Sequence, residues 1–111
     1  MAGKFEIFKD KGGKFRYRLK SGNGEIVLAS QGYVSKAGCK NGVASVQKNC
    51  SNNDCFDKKK AKNGFRFNLK STNGQVIGTS ETYKTEKACD NGMAAVTRAA
   101  KGAKVVDLTV A

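Results

Sequence analysis

The sequence predicts an α+β fold in which two tandem β-β-β-α units and a final strand form one sheet, with both helices on the same face. Three observations support this prediction. The chain repeats itself after fifty residues, each copy changes from a period of two to a helical period, and the last β-like stretch has no hairpin partner of its own. A strand without a local partner has to join the edge of a sheet that already exists.

The repetition covers most of the chain. Residues 15–49 and 65–99 are identical at fourteen of 35 positions. Two copies are too few for a solenoid, which needs about three or more repeats, so we expect a compact pair related by a pseudo-two-fold axis. On this basis residues 1–111 form a single domain, with repeat one at about 4–54 and repeat two at about 55–110.

Each copy contains a predicted β-hairpin. In "FRYRLK" the residues Phe15, Tyr17 and Leu19 alternate with basic side chains, and "FRFNLK" repeats the pattern from Phe65. This period of two is typical of a strand with one buried face. The stretches "EIVLAS" and "QVIGTS" are rich in β-branched residues. An Asn-Gly pair precedes each of them and favours a tight turn.

The register of the hairpin decides where two apolar side chains point. A two-residue turn at Asn23-Gly24 would pair Leu19 with Leu28 and place Val27 on the charged face, and likewise Ile77 in the second copy. A loop one residue longer would turn both side chains into the core, because a slip of one residue exchanges the two faces of a strand. We favour the longer loop.

A helix is predicted after each hairpin, because the apolar spacing lengthens to four, three and four residues. Ser35 and Thr85 are suitable N-caps for these helices. Gly42 and Gly92 lie inside them and indicate a close approach of each helix to the sheet. The stripes are Cys39, Val43, Val46 and Cys50 in the first copy, and Cys89, Met93, Val96 and Ala100 in the second.

Three further stretches are strand candidates. "KFEIFKD" and "CFDKKKAK" each precede a hairpin, and "KVVDLTV" follows the second helix. The turn after the first of these strands is one residue longer than its equivalent in the second copy, since Phe5 to Phe15 spans ten residues and Phe56 to Phe65 spans nine.

The chain resembles the YegP-like family of small bacterial proteins. The resemblance rests on "RYRLKSGNGEIVLASQGY" followed by "NGVASV", and on "RFNLKSTNGQVIGTSETY" followed by "NGMAAV". It covers the chain from Phe5 to about Thr109, although the four cysteines of this chain are not part of the family pattern. The resemblance implies tandem β-β-β-α-β units that share one sheet and exchange their terminal strands. It implies no known activity and no catalytic residues.

The composition argues against several kinds of chemistry. The chain has no histidine, so Ser-His-Asp and Cys-His arrangements are impossible. None of the nine carboxylates recurs at the same position in both copies, and no phosphate-binding glycine loop is present. We therefore expect a protein that is not an enzyme and has no cofactor.

The four cysteines do not have the spacing of a metal site, since the closest pair is a single C-x₄-C. Cys39 and Cys89 lie on the apolar helix stripes and are expected to be buried. Cys50 and Cys55 flank a polar loop and could form a disulfide if oxidised. The N-terminal sequence has no apolar signal-peptide core, so we expect a cytoplasmic protein with free thiols and no association with membranes.

The net charge is +12, and each half contributes +6: residues 1–54 have ten basic and four acidic groups, and residues 55–111 have eleven and five. Such a field attracts polyanions, or it serves only solubility. The first possibility predicts a weak nucleic-acid or acidic-protein binding module. The alternative is a structural or protein-interaction domain, which could dock through an exposed sheet edge. In both cases we expect a monomer with an internal pseudo-two-fold.

The expected nucleic-acid contacts are basic side chains on the face of the sheet without helices. Aromatic residues such as Phe15, Tyr17, Phe65 and Phe67 are in phase with the core, which leaves electrostatic contacts to the backbone rather than base stacking. The basic run at 58–62 is expected to add charge to this face from a strand between the hairpins. The predicted site residues are Arg16, Arg18, Lys20, Lys58, Lys59, Lys60, Arg66 and Lys70.

Overall fold

The computed structural model describes residues 3–50, 52–72 and 74–109. In chain order the strands are β1 (Lys4–Lys9), β2 (Phe15–Lys20), β3 (Ile26–Ala29), β4 (Phe56–Ala61), β5 (Gly64–Lys70), β6 (Val76–Thr79) and β7 (Lys104–Asp107). Helix α1 (Lys36–Asn49) follows β3, a short 3₁₀ turn (Asn53–Cys55) precedes β4, and helix α2 (Glu86–Ala100) follows β6. Neither α1 nor α2 is long and apolar enough to cross a bilayer.

All seven strands form one sheet in the order β4-β5-β6-β3-β2-β1-β7. Every pairing is antiparallel except the one between β1 and β7, which is parallel. The two hairpin units meet where β3 lies beside β6. Strand β7 follows the second unit along the chain but pairs with the first strand of the first unit, so the predicted strand exchange and edge position are confirmed. This strand is shorter than "KVVDLTV", because the chain turns at Leu108 and Thr109.

The two helices cover one face of the sheet, as predicted. Their apolar stripes pack on the inward side chains of the strands, and the largest fully buried residues are Tyr17, Phe5, Phe67, Ile7, Leu19, Leu28 and Leu69. The expected N-caps are present, since the side-chain oxygens of Ser35 and Thr85 accept hydrogen bonds from the amides of Gly38 and Ala88, both at 3.0 Å. We call the opposite side of the sheet the helix-free face, because no helix among residues 3–50, 52–72 and 74–109 lies on it.

The hairpin loop is one residue longer than a two-residue turn, as favoured from the sequence. The Ser21 amide donates to the Glu25 carbonyl at 2.8 Å, and Gly24 has a φ of +88°. A β-bulge then shifts the register, so that Lys20 pairs with Ile26 while Leu19 still pairs with Leu28. The bulged residue Val27 is 5% exposed, and the second hairpin repeats the arrangement. The side chains expected in the core are therefore buried.

The glycines inside the helices make room for tyrosines. A Cβ at Gly42 would lie 2.5 Å from the Tyr33 hydroxyl oxygen and 3.2 Å from a ring carbon of Tyr17, and Gly92 lies against Tyr83 in the same way. Tyr33 follows β3 and bridges back to Phe15 at the edge of β2. The predicted close approach is confirmed, and the aromatic rings between helix and sheet are its cause.

Candidate nucleic-acid interface

The helix-free face is lined by side chains that alternate with the core residues of each strand. On β2 these are Arg16, Arg18 and Lys20, because Tyr17 and Leu19 between them are fully buried. On β5 the equivalent positions carry Arg66, Asn68 and Lys70. The structure therefore places five of the predicted basic residues on this face along β2 and β5.

A pseudo-two-fold axis relates the two basic rows. Ala29 of β3 pairs with Thr79 of β6, and these two residues occupy equivalent positions in the two copies, so the axis passes between them. Ile26 and Val76 complete a central strip of small and aliphatic side chains on the helix-free face. The rows on β2 and β5 flank this strip about 14 Å apart, which is three strand spacings of about 4.8 Å.

Glu6 of β1 lies beside the first basic row, opposite Arg18. Its carboxylate contacts Arg18 Nε at 2.7 Å, Lys20 Nζ at 3.1 Å and Lys4 Nζ at 3.4 Å. Although Glu6 is only 6% exposed, these contacts, that with Arg18 first, lower the pKa of its carboxyl to about 2 despite the opposing effect of burial. Glu6 is therefore ionised at neutral pH, and it fixes the positions of three cations.

The other basic residues of this face also contact carboxylates. Arg16 Nε lies 2.6 Å from Asp10, and this contact lowers the Asp10 pKa. Asp57 of β4 lies 3.2 Å from Lys70 and 3.6 Å from Lys59, and Lys70 is the main cause of its lowered pKa. Arg66 is exposed, and no ion pair is found for it within the described residues. The face thus keeps a positive excess, but part of its charge is neutralised internally.

Glu6 and Asp57 are equivalent in the structure, a relation that was not recognised from the sequence. Phe5 pairs with Leu19 and Phe56 with Leu69, so the two carboxylates occupy matching strand positions. Comparing each residue with the one fifty positions later does not align these two carboxylates. The turn between β4 and β5 is one residue shorter than the turn between β1 and β2, so residues of β4 lie 51 positions after their equivalents in β1. The shortened Phe56 to Phe65 spacing was the signal that could have aligned them.

The prediction for the run at 58–62 needs correction. Strand β4 is an edge strand and does not lie between the hairpins. Because side chains alternate along a strand, Lys59 lies on the helix-free face, whereas Lys58 and Lys60 lie on the same side as their partners Phe67 and Phe65. Lys58 contacts Asp90 at 2.8 Å and Glu86 at 3.4 Å on α2, which raises the pKa of its amine.

Aromatic side chains contribute little to the helix-free face. Phe15, Tyr17, Phe65 and Phe67 lie on the helix side, as predicted, and pack in or against the core. Phe8 is on the helix-free face, but the Arg18 guanidinium covers its ring at 4.7 Å from the centroid. The described part of this face therefore presents no open row of rings on which bases could stack.

The four thiols are free and buried. Burial raises the pKa of Cys39 to about 11 and also raises that of Cys89, so both remain protonated at neutral pH. Among residues 3–50, 52–72 and 74–109, no group of three or more potential metal ligands comes together.

Comparison with known proteins agrees with the duplicated architecture. The family described as "Domain of unknown function (DUF1508)" matches residues 10–57 and again residues 61–107. A UPF0339 protein of Treponema denticola is 63% identical over 49 residues, which are 44% of this chain and 84% of that protein. The UPF0339 protein YegP of Escherichia coli K12 is 45% identical over 64 residues, or 58% of each chain. This last alignment therefore spans little more than half of YegP.

A solved structure extends the similarity over the whole chain. The solution NMR structure of the protein of unknown function YegP from Escherichia coli superimposes with a TM-score of 0.93 at 42% sequence identity, covering 100% of this chain and 97% of that one. Since the family pattern occurs twice in sequence and the fold matches throughout, the chain belongs to the YegP-like DUF1508 family, whose function is unknown.

Proposed function

We propose that this protein is a small non-enzymatic binding domain whose helix-free face contacts the phosphate backbone of nucleic acid weakly and without sequence preference. The observation that carries the proposal is the pair of basic rows, Arg16 to Lys20 and Arg66 to Lys70, on either side of a low central strip. A nucleic acid that follows the strip would lie between the two rows, and the basic side chains on both sides would contact its phosphates.

The details of the face favour weak and sequence-tolerant binding. Glu6, Asp10 and Asp57 compete with phosphate for the same cations, so the available charge is smaller than the number of basic residues implies. Without open aromatic rings, base stacking adds nothing to the affinity. We expect dissociation constants of about 10⁻⁴–10⁻⁶ M, typical of non-specific contact, and a steep loss of affinity with salt.

The test is a fluorescence-anisotropy titration of a labelled duplex and a labelled single-stranded RNA, from low to physiological salt. The informative variant is Arg16→Glu with Arg66→Glu, since the axis relates these residues and both are accessible. Arg18 is left unchanged because its reversal would place a second carboxylate beside Glu6, which is buried.

The matched control is Lys48→Glu with Lys87→Glu, which changes the net charge equally but on exposed positions of the helices. We expect the first variant to lose binding and the control to keep most of it, while circular dichroism shows that both fold. If no binding is found at low salt, or if both variants bind equally, the charge serves solubility and the interaction-domain alternative is favoured. We also propose that the protein is a monomer and lies in the cytoplasm. Sedimentation equilibrium measures its oligomeric state.

A further inference from the structure

The two halves of the protein have equivalent grooves beside their first strands. In the first half, β7 lies along the outer edge of β1, where Val105 and Asp107 share a cavity with the α1 residues Lys40, Val43, Ala44 and Gln47. The second half has an equivalent cavity of about 250 Å³, formed between α2 and β4. Its lining consists of Phe56 and Lys58 of β4 and of the α2 residues fifty positions after those of α1, namely Asp90, Met93, Ala94 and Thr97. We call this second cavity and the outer edge of β4 the β4 groove.

Strand β4 has no outer neighbour within the described residues, since it ends the sheet opposite to β7. The burial of equivalent residues reflects this difference. Phe5 and Ile7 of β1 are fully buried. Of their counterparts in β4, Phe56 is half-buried and Lys58 is exposed. The β4 groove therefore lacks the strand that completes the first half.

We propose that the β4 groove binds an extended acidic segment of another protein, which joins the sheet as a parallel strand outside β4. The pairing of β7 with β1 supplies the geometry, since an edge strand offers unpaired amides and carbonyls to such a segment. In that pairing Val105 lies beside Phe5 and Asp107 beside Ile7. In the same register, the second residue of the segment lies beside Phe56 and faces the cavity, so an apolar side chain fits there.

Two lysines late in β4, Lys59 and Lys60, favour a segment with carboxylates at its fifth and sixth residues. Following the same register, the fifth and sixth residues of the segment lie beside Lys59 and Lys60, which have side-chain ammonium groups on opposite sides of the sheet. Carboxylates at these two positions would be paired. Only one of these cations, Lys59, has a carboxylate partner among the described residues, Asp57 at 3.6 Å.

The same charges disfavour a second copy of this chain. Two β4 strands side by side would bring their lysine runs together. The β7 strand of a second copy would place Asp107 beside Lys58, whose ammonium group already contacts Asp90 and Glu86. It would also place Asp107 near Glu86, at the position where α1 has Lys36, which contacts Asp107 at 2.9 Å. Like charges at these positions oppose both forms of self-association.

The probe is a synthetic peptide, acetyl-Thr-Val-Thr-Thr-Glu-Glu-Thr-amide, titrated into the ¹⁵N-labelled full chain. Valine occupies the position facing the cavity, and the glutamates lie beside Lys59 and Lys60. We expect saturable changes in amide chemical shift that are concentrated at residues 56–61 and at the cavity-lining residues of α2. Lys59→Glu with Lys60→Glu should weaken the affinity by about tenfold.

Two controls separate strand addition from simple charge attraction. Two versions of the peptide carry N-methyl groups on alternate residues and keep every side chain. In one version the methylated residues are those whose N–H groups face β4, and this version should not bind. In the other version the methylated N–H groups face away from β4, and this version should bind. Ala94→Glu places a carboxylate in the cavity and should abolish binding. The control Asn41→Glu, at an exposed position of α1 that lines neither cavity, should leave peptide affinity unchanged.

Several results would overturn the proposal. These are the absence of saturable shifts at millimolar peptide, equal binding of the two N-methylated peptides, and shifts confined to the helix-free face. Concentration-dependent broadening of the β4 amides without peptide would instead identify a second copy of the chain as the occupant, and it would equally reject an acidic partner.

Discussion

At the scale of single residues, Glu6 shows how a carboxylate can organise a basic surface. It is almost fully buried, yet three cations surround it and keep it ionised. The folded-state pKa of about 2 lies below the ordinary value of 4.5. A carboxyl with a depressed pKa stabilises the fold above its unfolded-state pKa, and this contribution disappears as the pH falls through the folded-state value.

We predict that Glu6→Gln lowers the free energy of unfolding by about 2 kcal/mol at neutral pH, because charge-assisted hydrogen bonds to a buried carboxylate are lost. The difference from the parent protein should shrink as the pH falls from about 4.5 towards 2. Urea denaturation at several pH values measures it, with Glu81→Gln at an exposed position as the control. A difference that does not change with pH would contradict the assignment.

At the scale of secondary-structure elements, β7 is short but covers a critical edge. Its four residues pair with β1, the Leu108 amide donates to the Ile7 carbonyl at 2.8 Å, and Asp107 contacts Lys36 of α1. These contacts shield the strand that carries the fully buried Phe5 and Ile7.

We expect deletion of residues 104–111 to cause aggregation or the loss of much of the cooperative melt, because the edge of β1 and its apolar side chains become exposed. Thermal melting followed by circular dichroism and light scattering measures both effects. Asp107→Asn removes the ion pair with Lys36 but keeps an oxygen that can accept from Thr109, so it should cost less than about 1 kcal/mol. An unchanged melt after the deletion would show that the segment is dispensable.

At the scale of the whole molecule, the pseudo-two-fold symmetry is broken where the two halves meet, at β3 and β6. Leu28 and Gly78 occupy equivalent positions in β3 and β6. A Cβ at Gly78 would lie 2.7 Å from the Leu28 side chain. The space near the axis therefore holds one large side chain, and the second copy has a glycine where the first has a leucine.

This arrangement predicts strong coupling between the two positions. Gly78→Ala should destabilise the fold by about 1–3 kcal/mol through overpacking, and Leu28→Ala by about 2–5 kcal/mol through the cavity it leaves. Because Leu28→Ala makes room for the new methyl group, the double variant should lose less than the sum. Chemical denaturation of the four proteins measures this difference, and simple additivity would contradict the shared space.

Most of the fold was predictable because it depends on local periodicity and on the duplication. The alternation around Tyr17, the N-cap at Ser35 and the unpaired "KVVDLTV" each specify an element without reference to distant residues. The features that were missed depend on tertiary neighbours. The side of the sheet on which Lys58 lies follows from the edge position of β4 and its pairing with β5. The equivalence of Glu6 and Asp57 depends on a shortened turn. Gly78 is explained only by the side chain of Leu28 across the axis.

The parallel pairing of β1 and β7 also has a mechanical consequence. Lys4 and Lys104 lie side by side at one end of the ladder, and Ile7 and Asp107 lie side by side at the other. Tension applied between residues 3 and 109 pulls the start of one strand against the end of its neighbour. The load then acts along the strands and is shared by all the hydrogen bonds between them, so the ladder is sheared as a unit instead of being peeled open one bond at a time.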